Sequence, residues 1–350
     1  MKRTETNKIK VGNLTIGGSN TVLIQSMCNI KTSKVSEICK QINDCARLGA
    51  DLMRVSIVDK EDALALKEIK KHISIPLVAD IHFDYRLALL AIENGADKIR
   101  INPGNIGSID KIQQVVDACK KANVSIRIGI NSGSLDKEII KDGEKVSHVH
   151  LVNSAKKHIK IIEDMGFNNI VLSLKASDVK ETIAAYRLAS KTFKYPLHLG
   201  ITEAGTKEVG VIRSVAGLSP LLLEGIGNTI RISLTDSPQE EIKVCKRLLH
   251  DIGLYPNYPT LISCPTCGRT EVDVKKVASQ VLELLEYTNK KITVAVMGCP
   301  VNGLGEAKHA DIGLAGGKMK WVLFKKGQVI DTIDEKDAFT RLKKEIESFK

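Results

Sequence analysis

Aromatic residues are scarce in this 350-residue chain, at 4%, with one Trp, six Tyr and six Phe. With 43% hydrophobic residues, the core must be aliphatic, as in α/β proteins. The same scarcity counts against a nucleic-acid binder, which needs aromatics interleaved with basic residues on an exposed surface. No apolar run approaches the length of a membrane span. The N-terminal Met1-Lys2-Arg3-Thr4-Glu5 lacks the apolar segment of a signal peptide, so a soluble cytoplasmic protein without a membrane partner is expected. No Gly-x-Gly-x-x-Gly turn follows the first predicted strand, which counts against a dinucleotide fold. There is no internal repeat or low-complexity tract. Cysteine is present, but Cys28, Cys39, Cys45, Cys119 and Cys245 lie scattered in apolar or helical contexts. They read as reduced, buried thiols and not as a disulfide framework.

What is abundant is positive charge, +11 in total, with an isoelectric point of about 9.1. It suits anionic partners, although many lysines belong to a solvated surface. From residue 21 to 250, short apolar strands alternate with helical patterns. Strands are predicted at 22–27, 52–58, 76–81, 98–102, 125–131, 169–175, 196–201 and 229–234. Helices are predicted at 35–48, 60–71, 85–94, 109–122 and 240–249, among others. Eight such units predict a (β/α)8 TIM barrel over residues 1–255. The proline-containing stretch Gly253-Leu254-Tyr255-Pro256-Asn257-Tyr258-Pro259 reads as a linker. Beyond it, residues 256–350 form a smaller α+β domain. Its helices are expected at 272–287 and 338–349, and its strands at 292–297, 312–315, 321–324 and 329–333.

Alternation within the barrel strands is the most informative pattern. Parallel strands buried on both faces usually read as continuous apolar runs. Here one face is polar. Arg54 and Ser56 alternate with Met53, Val55 and Ile57; Asp80 and His82 with Ala79 and Ile81; Arg100 and Asn102 with Ile99 and Ile101. Arg127, Ser173, Lys175, His198, Arg231 and Ser233 follow the same rule. The polar set is therefore expected inside the barrel, towards the strand ends where barrel enzymes place their chemistry. Any one of these residues has an ordinary reading, a rim salt bridge for an Arg or a satisfied core residue for a His. Seven strands repeating the pattern do not. Five cations gathered at one mouth, Arg54, Arg100, Arg127, Lys175 and Arg231, repel one another unless an anion joins them. Arginine forks suit phosphate oxygens, so the implied substrate carries more than one phosphate. Asp80, His82, His198 and Glu203 are candidates for positioning or proton transfer.

The second domain carries Cys264-Pro265-Thr266-Cys267-Gly268-Arg269 and, further on, Gly298-Cys299-Pro300. Two cysteines three apart and a third in a glycine-rich segment suit a three-thiolate metal site, and a Cys-Pro step recurs beside iron–sulfur clusters. Spacing alone leaves open a [4Fe–4S] cluster, a zinc site with His309 as the fourth ligand, and a redox dithiol. A zinc-containing nucleic-acid-binding protein is the corresponding alternative function.

Taken together, several blocks in order resemble the 4-hydroxy-3-methylbut-2-en-1-yl diphosphate synthase family, iron–sulfur enzymes of the non-mevalonate isoprenoid pathway. They are Val78-Ala79-Asp80-Ile81-His82-Phe83, Arg100-Ile101-Asn102-Pro103-Gly104-Asn105, Arg127-Ile128-Gly129 with Asn131, residues 196–205, Glu224-Gly225-Ile226-Gly227, residues 264–269 and residues 297–307. The resemblance covers nearly the whole chain. It implies a [4Fe–4S] cluster on Cys264, Cys267 and Cys299 with Glu306 as the fourth ligand. It implies a homodimer, and a flavodoxin or ferredoxin as electron donor. The implied substrate is 2-C-methyl-D-erythritol 2,4-cyclodiphosphate, held by the barrel cations with Asn102, Asn131 and the serines. The implied proton donor is Glu203. Cys28, Asn228 and Leu304 stand where the family pattern has other residues, and none of them is a proposed ligand.

Overall fold

The chain opens on a hairpin that the strand pattern did not announce, β1 (Ile9–Val11) antiparallel to β2 (Leu14–Ile16). Its Ile9, Val11 and Ile16 pack on Leu23, Leu52, Val78 and Val171. Those four residues begin barrel strands and share the inward parity, so the hairpin plugs the bottom of the barrel with apolar side chains. The computed structural model describes residues 3–18, 21–135, 138–140, 144–288, 290–299, 305 and 307–349. The chain divides into two units, Met1–Leu254 and Tyr255–Lys350.

The first unit is the expected barrel. Its parallel strands are β3 (Leu23–Met27), β4 (Leu52–Ser56), β5 (Leu77–Asp80), β6 (Lys98–Ile101), β7 (Ser125–Asn131), β8 (Ile170–Lys175), β9 (His198–Leu199) and β10 (Thr229–Ile230). They neighbour one another in sequence order, β10 pairs back onto β3, and a Leu172–Leu197 bridge closes the seam. The last two strands are shorter than the pattern suggested. Their ladder is Thr229 beside His198 and Ile230 beside Leu199.

Between and after the strands run α1 (Val35–Leu48), α2 (Lys60–His72), α3 (Tyr85–Glu93), α4 (Pro103–Ile106), α5 (Ile109–Ala122), α6 (His148–Asp164), α7 (Val179–Thr192), α8 (Lys207–Leu223) and α9 (Pro238–Asp251). Their apolar stripes explain the scattered cysteines. Helix α1 buries Ile38, Cys39, Ile42, Cys45 and Leu48 at three- and four-residue spacing, and α5 buries Cys119 likewise. Cys28, Cys119 and Cys245 are buried, and desolvation raises all three thiols above the ordinary range, Cys245 to about 12. They are inert packing residues.

The second unit is a five-stranded mixed sheet backed by helices. Its elements are β11 (Thr260–Ser263), α10 (Val274–Glu286), β12 (Thr293–Met297), β13 (Ile312–Gly317), β14 (Lys320–Lys325), β15 (Gln328–Asp334) and α11 (Ala338–Ser348). Strand β11 is an addition, since no strand is predicted over residues 260–263. A short, half-exposed segment with Thr and Ser at its ends carries no alternation signal, and only its parallel pairing with β12 makes it a strand.

Candidate active site

The polar faces of the barrel strands converge on a cavity of about 280 Å³. Its walls include Arg54, Asp80, His82, Arg100, Arg127, Asn131, Ser173, Lys175, Arg231 and Ser233, together with Met27, Gly129 and Thr202. The parity argument explains the grouping. Arg54 stands beside Val78, Asp80 beside Arg100, Arg100 beside Arg127, and Asn131 beside Lys175, so inward side chains stack in layers.

Asp80 is the only carboxylate on this wall among the described residues, and it is 3% exposed. Its Oδ1 accepts from Arg100 Nη1 at 3.3 Å, and its Oδ2 lies 3.7 Å from Arg54 Nε and from His82 Nε2. Burial alone would raise its pKa. The guanidiniums of Arg54 and Arg100 outweigh that and hold it below the usual carboxylate range. Arg54 also donates to the Met27 sulfur at 2.8 and 3.1 Å, and Arg231 Nη1 lies 3.8 Å from the same sulfur. Behind Arg231, Glu241 of α9 accepts from Nε and Nη2, each at 3.2 Å.

These contacts form a belt from Glu241 through Arg231, Met27, Arg54 and Asp80 to Arg100. Five cations face two carboxylates, and the surplus is positive. It falls on Arg127 and Lys175. Arg127 is 2% exposed, and its Nε and Nη1 have no hydrogen-bond partner. Burial first, then Arg54 and Arg100, push it well below its ordinary value. Burial, then Arg231 and Arg127, do the same to Lys175. A desolvated cation surrounded by cations is a site for a multiply charged anion. The backbone makes room for it. A Cβ at Gly200 would sit 2.5 Å from Lys175 Nζ, and one at Gly129 would sit 2.7 Å from Arg100 Nε.

Of the other candidates, Asn102, His198 and Glu203 are not among the residues lining this cavity. Asn131, in the amide orientation that satisfies both its atoms, accepts from Arg100 Nη2 at 3.3 Å. Asn102 caps α4 by accepting from Gly104 N at 3.2 Å. His198 is fully buried deeper in the barrel, with Nδ1 2.7 Å from Thr229 Oγ1. Burial, then Arg127 and Lys175, push it well below the ordinary histidine value, so it is a neutral ring. Glu203 is exposed on the loop after β9, and its φ of +53° is left-handed. Below the cavity, Lys98 bonds Gln25 Oε1 at 3.2 Å, and burial lowers its pKa strongly.

In the second unit, β11 and β12 run parallel with Ser263 beside Val296, so Cys264 and Cys299 follow the same ends of neighbouring strands. Gly298 N–H points at Cys264 Sγ, 3.1 Å away. A Cβ on Gly298 would meet Val274 at 2.9 Å and Thr270 at 3.0 Å. Cys267 is exposed, and the Arg269 backbone N–H lowers its pKa. His309 is exposed. Among the described residues no three Cys, His, Asp or Glu side chains gather closely enough to hold a metal. Glu306 and Leu304 lie outside the described residues. Reduced thiols with a backbone N–H aimed at sulfur are the donor set that an iron–sulfur cluster takes.

Residues 6–246 match the GcpE TIM-barrel domain, and residues 260–348 match the GcpE protein C-terminal domain. The chain belongs to the GcpE family. This GcpE chain is 52% identical over 348 residues to the 4-hydroxy-3-methylbut-2-en-1-yl diphosphate synthase (flavodoxin) of Clostridium perfringens, spanning 99% of this chain and 100% of that protein. It is also 52% identical over 345 residues to the same-named protein of Bacillus subtilis (strain 168), spanning 99% of this chain and 92% of that one. Among solved structures it is similar to dihydropteroate synthase from Yersinia pestis, with TM-score 0.52 and 14% identity over 70% of this chain and 98% of that chain. The Stenotrophomonas maltophilia enzyme gives 0.53 and 13% over 71% and 99%. At such identities the likeness concerns the barrel alone.

Sequence reasoning missed Met27, Thr202, Lys98 and Glu241 of this GcpE site. Met27 and Lys98 follow the inward parity of their strands, Thr202 continues that of His198 beyond β9, and a stricter reading of alternation finds all three. Glu241 sits in a helix among Gln239 and Glu240, where nothing distinguishes it from a solvated acid. No helix among the described residues is long and apolar enough to cross a membrane. Asn228, a departure from the family pattern, accepts from Leu197 N at 3.1 Å and so helps register β9.

Proposed function

We propose that this chain catalyses the reductive ring opening of 2-C-methyl-D-erythritol 2,4-cyclodiphosphate to 4-hydroxy-3-methylbut-2-enyl diphosphate. Its electrons come from a flavodoxin or ferredoxin, and its working form is a homodimer. Family membership over both domains supports the reaction, and the names of the relatives support flavodoxin. The physical observation that carries the reading is the buried surplus of positive charge on Arg127 and Lys175.

Arg127 and Lys175 take the oxygens of the cyclic diphosphate, whose negative charge offsets the cost of burying two cations together. Arg54, Arg100 and Arg231, already held by Asp80, Met27 and Glu241, present the remaining guanidinium edges in fixed attitudes. Ser173, Ser233 and Asn131 orient the ring by hydrogen bonds, and His82 stands at the rim beside Asp80. His198 and Asn102 support the site, one under the cavity and one at the α4 cap. Glu203, on its left-handed loop, delivers the proton that the departing oxygen needs. Cys264, Cys267 and Cys299, with Glu306, hold a [4Fe–4S] cluster. When bound, that cluster supplies the two electrons one at a time.

The test is metal analysis, visible absorption and turnover of the anaerobically purified protein with the cyclic diphosphate and a strong reductant. Roughly four irons per chain, a broad visible band and product formation are expected. One zinc per chain in a colourless, inactive protein would sink the proposal.

A further inference from the structure

Glu241 stands in the first turn of α9, behind Arg231, which directly follows β10. Ser237 caps that helix by accepting from Glu240 N at 3.4 Å, and Pro238 occupies its first position. The Glu241 carboxylate is 2% exposed and is met by donors on every side. Oε1 accepts from Arg231 Nη2 at 3.2 Å and from Leu234 N at 3.0 Å. Oε2 accepts from Arg231 Nε at 3.2 Å and from Ser26 Oγ at 2.6 Å. The pairing is bidentate, so it fixes the plane of the guanidinium as well as its place. The third nitrogen, Nη1, is left on the cavity side, 3.8 Å from the Met27 sulfur.

We propose that Glu241 is a positioning residue for the phosphate-bearing substrate, holding the Arg231 fork so that Nη1 faces the anion. This rests on the reading of the cavity as a diphosphate site. The surroundings of Glu241 also say which residue can do the job. Three of its four donors are N–H groups that cannot reverse. A glutamine has one oxygen and one NH2. Whichever way it turns, its NH2 faces at least one N–H of Arg231, and the fork is broken. The carboxylate is therefore required for geometry, and its charge partly opposes the ligand it serves.

That opposition makes the role testable by sign. Neutralising Glu241 adds net positive charge to the wall. If Glu241 were only a counter-charge, Glu241→Gln would tighten binding of an anion. If it positions Arg231, the same change weakens binding.

The probe is inorganic pyrophosphate, titrated calorimetrically into the full-length protein, with thermal melts as a check on folding. Glu241→Gln is expected to weaken pyrophosphate binding about tenfold, in line with the loss of one hydrogen bond to a charged group. In an Arg231→Met background the same change is expected to have no further effect on affinity. Ser26→Ala, which leaves the fork itself in place, stays within about twofold of the wild type. If Glu241→Gln does not fold, Glu241→Asp keeps the charge, withdraws it by one methylene, and is expected to weaken binding too. Wild-type or tighter affinity in the folded Gln or Asp variant overturns the proposal. A wild-type protein that does not bind pyrophosphate overturns the diphosphate reading itself, and the positioning role with it.

Discussion

Asp80 Oδ1 accepts from Arg100 Nη1 at 3.3 Å at the centre of the barrel mouth, and both residues are buried. The pair keeps the cation ring folded before any ligand arrives. Asp80→Asn leaves Arg54 and Arg100 without their shared counter-charge, so the empty protein is expected to lose roughly 3 kcal/mol of stability. Pyrophosphate should restore part of the loss and raise Tm more in the variant than in the wild type. The sign of the pH dependence follows from the depressed pKa of Asp80. Its contribution is present above the unfolded value of about 3.9 and is lost as pH falls through the lower folded value. Thermal melts across acid pH, with and without pyrophosphate, measure both effects; equal ligand-induced shifts in the two proteins would count against this role.

Lys175 makes the opposite prediction at alkaline pH. Burial and the neighbouring arginines depress its folded pKa, so the empty barrel gains stability as pH climbs from that depressed value towards the unfolded value of about 10.4. An anion reverses the shift. Pyrophosphate binding should therefore take up protons, and affinity should fall at alkaline pH as the Lys175 ammonium loses its proton. Calorimetry in buffers of different ionisation enthalpy gives the proton count. No uptake would mean that these cations are already fully charged in the empty protein.

Gly200 has a packing reason to be glycine. A Cβ there would lie 2.5 Å from Lys175 Nζ and 2.8 Å from the Arg231 carbonyl oxygen. Gly200→Ala should destabilise by about 1–3 kcal/mol through overpacking. It should also displace the ammonium and weaken pyrophosphate binding about tenfold. Melts and titrations on the same sample separate the two effects; unchanged affinity would show that Lys175 does not meet the anion from this position.

Glu203 adopts a left-handed φ of +53°, a conformation that costs a non-glycine residue about 1 kcal/mol or more. Glu203→Gly should leave Tm unchanged or slightly raised. If the carboxyl supplies the proton, turnover should drop by roughly 100-fold or more. A variant that is more stable and fully active would remove Glu203 from the chemistry.

Much of the first unit was legible because a parallel strand buried on both faces has no ordinary use for charge. Arg100 between Ile99 and Ile101, or Arg127 between Ile126 and Ile128, declares an inward polar face from periodicity alone. The hairpin plug was not legible, since three-residue strands carry too little alternation to separate from loop. Residues 260–263 failed the same way, and their pairing with β12 is what brings Cys264 beside Gly298.

Composition and local order by themselves determined the barrel, the polarity of its interior and the burial of the five scattered cysteines, because each is written in a repeat of a few residues. Which cations are paired was decided only by the tertiary structure. Glu241 neutralises Arg231 across 10 residues of chain and bonds Ser26 across 215. Arg127 and Lys175 come out as the surplus because, among the described residues, neither is in an ion pair with a carboxylate, Asp80 being taken by Arg54 and Arg100. Charge adds up over space and not along the sequence, so the electrostatic state of this cavity exists only once the strands have closed.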